Sequence, residues 1–444
     1  MNFTHCIRLI KKPTHGRFFA HSRNALTVWF AIAAWLPLVI PNVALGEETW
    51  TLERVVDRFL EVAPEGQIFA AEIQASRGAL QQAGQWPNPQ IELRADDRLG
   101  QEDGNGGVDL TQFSVSQPIP LSGRLAREIE VAEAELKAVS TSKRYQRLLL
   151  EARAARLFHT LQLSVATLKL AEERLTLADI LRDAGRRRAR AGELADLARL
   201  RLDIIREFAK QVIDRAEGTY NESLTEFRTV LNLTTTLVPN LVPLSPYGPI
   251  PTINELEAEL LRHPAVSSAN TFVEAARSDV ALKRSERWPD PELKFFRERD
   301  FLGSRRENVT GVGIGITIPL WDLKSGRIHE ARARESEARA KVQVVNRDLA
   351  SRLRKSHLHL TRLVHQTAEY REKILGPANK LLDLTRKSYA VGEAEILSLI
   401  DANNTYFDSR TRYLELLQEA WLEAADLRVA AGLSISTRKE GVVP

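Results

Sequence analysis

The sequence predicts a mainly α-helical chain with a small β part, built as two copies of one unit. Three observations carry that expectation. Short motifs recur in one order at a nearly constant offset. Each copy holds a helical stretch too long for a globular core. Each also holds two short alternating segments just before that stretch.

The recurrence is direct. Gln85-Trp86-Pro87-Asn88-Pro89 returns as Arg287-Trp288-Pro289-Asp290-Pro291 at an offset of 202, and Ser122-Gly123-Arg124 as Ser325-Gly326-Arg327 at 203. Ala191-Gly192-Glu193 returns as Val391-Gly392-Glu393, and the stretch Arg228 to Leu233 as Arg428 to Leu433, both at 200. Repeats of this kind set the architecture before any single element is read. The boundaries expected from them are a leader over 1–46, repeat 1 over 47–238, a linker over 239–252, repeat 2 over 253–433 and a flexible tail over 434–444.

The leader has a basic stretch ending at Arg23, an apolar run from Ala25 to Ile40 broken at Pro37, and then Ala44-Leu45-Gly46. These are the parts of a secretory signal, with a mature start at Glu47. A retained anchor is the alternative, although a spanning helix takes about 20 apolar residues. The formal charge of +4 resides here: without the leader's five cations, 57 Lys and Arg face 58 acids. A basic nucleic-acid surface is therefore not expected. The single cysteine, Cys6, is also in the leader, which excludes disulfides and thiol chemistry from the mature chain.

Beyond residue 46 no apolar stretch approaches the length of a membrane helix, so any membrane insertion requires a closed β-barrel. First helical segments are expected over 52–85 and 253–287, each stopped by Trp-Pro-Asx-Pro. Strands follow at about 89–97 and 108–119, and at about 291–299 and 309–319, where polar and apolar residues alternate. The run Gly311-Val312-Gly313-Ile314-Gly315 reads as a strand with one bare face, because no strand, G-x-G-x-x-G and helix occur in series. Long helices run from Arg124 to Ala191 and from Arg327 to Val391, with interruptions expected at Gly185 and at Gly376-Pro377. Sixty-eight residues would reach about 100 Å. Leu161, Leu168 and Leu175 form one seven-residue row, and Leu163, Leu170 and Leu177 form another on nearly the opposite side. Two seams imply a neighbour on each side, as in a curved wall of helices. Second helices return over about 193–233 and 393–433. The five prolines between 239 and 251 exclude helix and central strand from the linker.

Four strands cannot close a barrel, since the smallest bacterial barrels have about eight, and an open edge is not tolerated in hydrocarbon. Other copies must complete it.

This plan resembles the TolC family of outer-membrane efflux proteins over essentially all of residues 50–433. The resemblance rests on the duplication, Trp-Pro-Asx-Pro before each first strand, Gln117-Pro118-Ile119-Pro120-Leu121-Ser122-Gly123-Arg124, and the Gly-Glu helix tips. Within that family the stretch Pro89-Gln90-Ile91-Glu92-Leu93 and the Ser-Gly-Arg motif are most similar to the cobalt–zinc–cadmium efflux branch. The resemblance implies a homotrimer with a 12-stranded barrel in outer-membrane lipid and a helical duct in the periplasm. It also implies a periplasmic adaptor (membrane fusion protein), an inner-membrane RND-type pump, and heavy-metal cations as candidate cargo. No enzyme activity, cofactor or bound metal is expected.

In this family the duct narrows at the helical tips, which implies a constriction at Asp401, Ser398 and Tyr389. Copy one carries Arg201 and Ala198 at the places of Asp401 and Ser398. The readings of Asp401 stay open: a ring of three carboxylates that attracts cations, or else a solvated residue or an ion pair with Arg201 of a neighbouring helix. Gly192, Glu193, Gly392 and Glu393 are the implied adaptor contacts, while an acid beside a helix start also favours the helix dipole. Arg186, Arg187, Arg188 and Arg190 fit a solvated helix end or an adaptor contact. His357 and His359 diverge on a helix and His365 is distant, so no metal site is expected from them. The competing class is a periplasmic coiled-coil scaffold or an adaptor, which would not repeat the whole unit.

Overall fold

The computed structural model describes residues 49–95, 111–192, 195–302 and 305–435. Residues 1–48, which include the leader, residues 96–110, residues 193–194, which include Glu193, and residues 303–304 and 436–444 lie outside them. The elements in chain order are α1 (Leu52–Val62), α2 (Pro64–Ala83), β1 (Gln90–Ala95), β2 (Thr111–Pro118), α3 (Arg124–Arg190) and α4 (Asp196–Val230). Copy two supplies α5 (Ile253–Glu259), α6 (Pro264–Ser285), β3 (Glu292–Leu302), β4 (Arg305–Gly315), α7 (Ser325–Tyr370), α8 (Gly376–Ala390) and α9 (Ile396–Ala431).

The first helical segment of each copy is two helices rather than the single one expected. Ala63 and His263 are extended at ψ 124° and 130°, each followed by a proline that opens the next helix. Proline drives the residue before it out of the helical region and then serves well as a first helical residue. The expected interruption at Gly185 is absent: α3 runs 67 residues through a buried Gly185. A glycine costs a helix only about 1 kcal/mol, which packing against α4, α6 and α9 outweighs. The interruption at Gly376-Pro377 is present. A π-helical turn over Arg371–Leu375 absorbs the missing proline N–H, and α8 resumes the same rod.

The four strands form one antiparallel sheet in the order β1-β2-β3-β4. The central pair, β2 with β3, joins the two copies. The β3–β4 ladder extends to Leu302↔Arg305, so residues 305–308, expected in the turn, belong to β4. At the other end β4 stops at Gly315 rather than near 319. Its partner β3 begins at Glu292, after Pro291, and no strand beyond that point accepts its hydrogen bonds.

The two sheet faces differ in chemistry. Ile91, Leu93, Leu293, Phe295, Val312 and Ile314 are exposed on one face. On the other, Lys294 Nζ lies 3.1 Å from the Glu92 carboxylate, and the Gln112 amide lies 3.5 Å from Glu298. The alternate glycines of β4 fall on this second face, where the Phe296 ring lies over Gly311 and occupies the space of a side chain.

At the root of the sheet the recurring motifs meet each other across the copies. The Asp290 carboxylate accepts from Ser122 N at 3.0 Å and Ser122 Oγ at 2.6 Å, and pairs with Arg124 at 3.5 Å. Below the sheet two apolar clusters hold the helices. One gathers Phe59, Phe158, Leu161, Phe227 and Leu231, with Ile435 from the chain end. The other gathers Leu256, Leu353, Leu360, Leu363 and Leu416. Ser434 and Ile435 are thus packed, not part of a free tail.

Candidate gate at the helical tips

Each helical hairpin turns through a glycine in the left-handed region, Gly192 at φ +78° and Gly392 at φ +84°. In copy two the N–H of Glu393 donates to Ser388 O at 2.9 Å, and the N–H of Gly392 donates to Tyr389 O at 3.2 Å. This pair of bonds is a Schellman closure, which satisfies the last carbonyls of α8 and requires the positive φ that glycine adopts without strain. The returning helices begin three residues later than expected, at Asp196 and Ile396. Glu393 therefore belongs to the turn rather than to a helix start, and its N–H serves α8. A favourable helix-dipole position does not account for it. Glu393 and Gly392 are exposed.

Behind the turns the two hairpins pack on one another. Leu181, Leu202, Leu382, Ile396, Leu399 and Ile400 form a buried cluster, with Ala198 and Tyr389 half-buried against it. The Tyr389 ring carries the Arg188 guanidinium 4.7 Å from its centroid. Its hydroxyl is buried and, among the described residues, has no hydrogen-bond partner. Arg188 was legible only as one member of a basic cluster, because a cation–π contact between residues 201 positions apart leaves no local pattern. Arg186 is likewise committed, 2.7 Å from Asp203, which Arg199 also reaches at 3.2 Å. Arg206 and Arg182 share Asp179 at 3.0 and 3.5 Å. These exposed pairs contribute little energy singly. Together they pair Arg182, Arg186, Arg199 and Arg206 with two aspartates.

Asp401 is different. Its neighbours Leu399, Ile400 and Ala402 are buried in the tip cluster, which leaves Ser398 and Asp401 on the exposed side of α9. The polar row continues with Thr405 and Asp408, at the three- and four-residue spacing of one helix face. Asp408 pairs with Arg174 at 3.2 Å. Asp401 has no ion pair with any described residue of its own chain, Arg201 included.

The three histidines noted in α7 hold separate partners. His357 Nε2 is 3.0 Å from Pro251 O, His359 Nδ1 is 2.8 Å from Glu423, and His365 Nδ1 is 3.5 Å from Glu369. Among the described residues no three His, Cys, Asp or Glu side chains gather in a metal-binding group.

Comparison with known proteins bears on the family and the fold. The family model described as "Outer membrane efflux protein" matches residues 55–232 and again 256–433. The cobalt-zinc-cadmium resistance protein CzcC of Cupriavidus metallidurans is 24% identical over 371 residues, covering 81% of this chain and 84% of that protein. The nickel and cobalt resistance protein CnrC of the same organism is 25% identical, covering 70% and 73%. Among solved structures, CusC superposes with a TM-score of 0.70 at 17% identity, covering 86% of this chain and 92% of that one. The open-state MtrE channel of Neisseria gonorrhoeae gives a TM-score of 0.70 at 17% identity, covering 87% and 91%.

Proposed function

The chain belongs to the outer membrane efflux protein family and is the outer-membrane duct of a tripartite efflux system, not an enzyme; from that premise we propose that three copies close around one pore that passes heavy-metal cations. The cargo reading is supported by the metal-resistance proteins to which the chain is similar. An adaptor reaching the exposed Gly392–Glu393 turn, and its copy-one counterpart at Gly192–Glu193, would connect the duct to an inner-membrane pump.

The observation that carries the closure is the contact at the sheet root. Within the chain, the residue after the first proline of copy two, Asp290, is held by Ser122 just beyond β2. The equivalent residues are Asn88 before β1 and Ser325 beyond β4, at the two free edges of the sheet. No partner is needed inside one chain for the same contact to form between chains, with β4 of one copy beside β1 of the next. Three chains of four strands then supply twelve, which is enough to close a barrel. The mature chain has no cysteine, so the test has a clean background. The protein carrying both Asn88→Cys and Ser325→Cys is expected to oxidise to a covalent trimer on a denaturing gel, with either single variant remaining monomeric. Oxidised monomer alone would exclude this edge-to-edge closure.

In such a trimer, three unpaired Asp401 carboxylates face the axis. Like charges confined in a narrow lumen attract cations and repel anions. Asp401→Asn is expected to lower both cation preference and single-channel cation conductance in planar bilayers. Arg201→Ala is expected to leave both unchanged if Asp401 acts alone. If Arg201→Ala reproduces the charge of a freed carboxylate, by increasing cation preference, an interchain pair is the correct reading. Unchanged conductance and selectivity in Asp401→Asn would remove Asp401 from the constriction.

A further inference from the structure

Two arginines lie where a lipid-facing strand should be apolar. In β3 the exposed face carries Leu293 and Phe295, and two residues further toward the hairpin end come Arg297 and Arg299, both exposed. Neither has an ion pair with any described residue. The register places Arg297 between Phe113 and Thr310, and Arg299 between Thr111 and Asn308. The patch is therefore two guanidinium groups, two hydroxyls and an amide, with no acid in its cross-strand rows. The opposite face is balanced, since Lys294 has Glu92 there.

The height of the patch follows from β4. Val312 and Ile314, each more than 60% exposed, share the face of Thr310 in β4, and the equally exposed Ile316, Ile318 and Leu320 follow beyond the end of the strand at Gly315. The five steps from Thr310 to Gly315, at about 3.3 Å each and tilted by about 40°, rise about 13 Å, and the exposed apolar run below them continues a band that on an outer-membrane barrel is about 25 Å tall. Trp321, 93% exposed, marks the lower edge of that band beside the helices, as tryptophan does at membrane interfaces. Thr310 and Arg297 mark the upper edge. The helices extend into the periplasm, so the upper edge meets the outer leaflet.

We propose that Arg297 and Arg299, with Thr111, Thr310 and Asn308, form a site on the outer barrel wall for the phosphate groups of lipopolysaccharide. Guanidinium groups bind phosphate oxygens with two hydrogen bonds at once, and burial beside acyl chains strengthens each bond. The apolar residues directly below would take the acyl chains of the same molecule. A threefold assembly would carry three such sites.

The test uses the intact trimer, stripped of lipid in detergent, with purified bis-phosphorylated Kdo2-lipid A as the probe and native mass spectrometry as the readout. Wild type is expected to retain up to three lipids and to bind dephosphorylated lipid A about tenfold more weakly. Arg297→Gln with Arg299→Gln should bring the phosphorylated lipid down to that same level, and Arg297→Lys with Arg299→Lys should restore part of the difference. Equal binding of the two lipids by wild type overturns the site even if the double variant fails to assemble. Equal binding of phosphatidylglycerol and lipid A overturns the assignment to lipopolysaccharide. The trimer itself is read from the same mass spectrum, so loss of the site is distinguishable from loss of the channel assembly.

Discussion

Glu151→Ala is expected to lower the thermal midpoint by several degrees and to release the end of the chain. Glu151 is 1% exposed in α3. Its carboxylate accepts from Arg147 Nε at 3.0 Å, from Ser434 Oγ at 2.8 and 2.9 Å, and from the backbone N–H of Ile435 at 2.7 Å. Removing one partner from a buried set leaves the others without an acceptor, a loss of about 3 kcal/mol or more. The Ile435 amide should then exchange its hydrogen faster. Truncation after Leu433 should also be destabilising, because it leaves the buried carboxylate with Arg147 alone. Since both changes break one contact, the double change should cost less than their sum. In α7, the corresponding long helix of copy two, Leu353 is fully buried in the second cluster and shows that such a position can be apolar. Glu151→Leu in the truncated chain should therefore recover stability. Additive losses at fixed scan rate would show that the carboxylate and the tail act independently.

The second large effect is acid lability through His159. Burial holds its pKa down at about 4, against an ordinary 6.5, with a smaller opposing contribution from Gln162. The ring is stacked on Trp421 at 4.8 Å, with Phe158 edge-on at 5.2 Å. Nδ1 is 2.8 Å from Gln162 Oε1, and Nε2 is buried with no partner among the described residues. The Gln162 amide is itself committed to Val242 O in the linker. Protonation would place a charged N–H where no acceptor exists. Because the folded state holds the lower pKa, His159's contribution is complete above pH 6.5 and declines as pH falls toward 4. The full loss is about 3 kcal/mol. His263 acts in the same direction: burial lowers its pKa, with the backbone bond to Val429 opposing. Its Nδ1 accepts the Ala265 N–H at 3.0 Å, a bond that only the neutral ring makes. His159→Phe keeps the stacking and removes the titration. Its thermal midpoint should vary less than that of wild type between pH 6.5 and 4, and an unchanged slope would show that His159 is not a source of the acid lability.

The candidate site was legible in part. Gly192 and Gly392 stood out because a helix reversing direction needs a residue that tolerates positive φ. Asp401 and Ser398 were named from the family resemblance, at positions where the copies also differ, and both lie on the exposed side of α9. Tyr389 was named as a gate residue, but its partner Arg188 was not. Helix starts at the tips were misplaced by three residues, since a Schellman turn consumes residues that a periodicity argument assigns to the next helix. The breaks at Pro64 and Pro264 were missed because both prolines sit inside otherwise helical stretches, where a proline also serves as a good first residue.

The sequence by itself determined the duplication, the rods and their reversals, and the need for more than one chain. Those features are written in local chemistry: prolines without an N–H, glycines without a Cβ, and apolar residues at helical or alternating spacing. Tertiary structure alone decided that β2 pairs with β3 across the copies, that Asp290 accepts from Ser122, and that Glu151 holds Ile435. The partners in those contacts are separated by about 170 to 280 residues. A hydrogen-bonding side chain states what kind of partner it needs but not which one. That choice is made when packing leaves a single donor within reach.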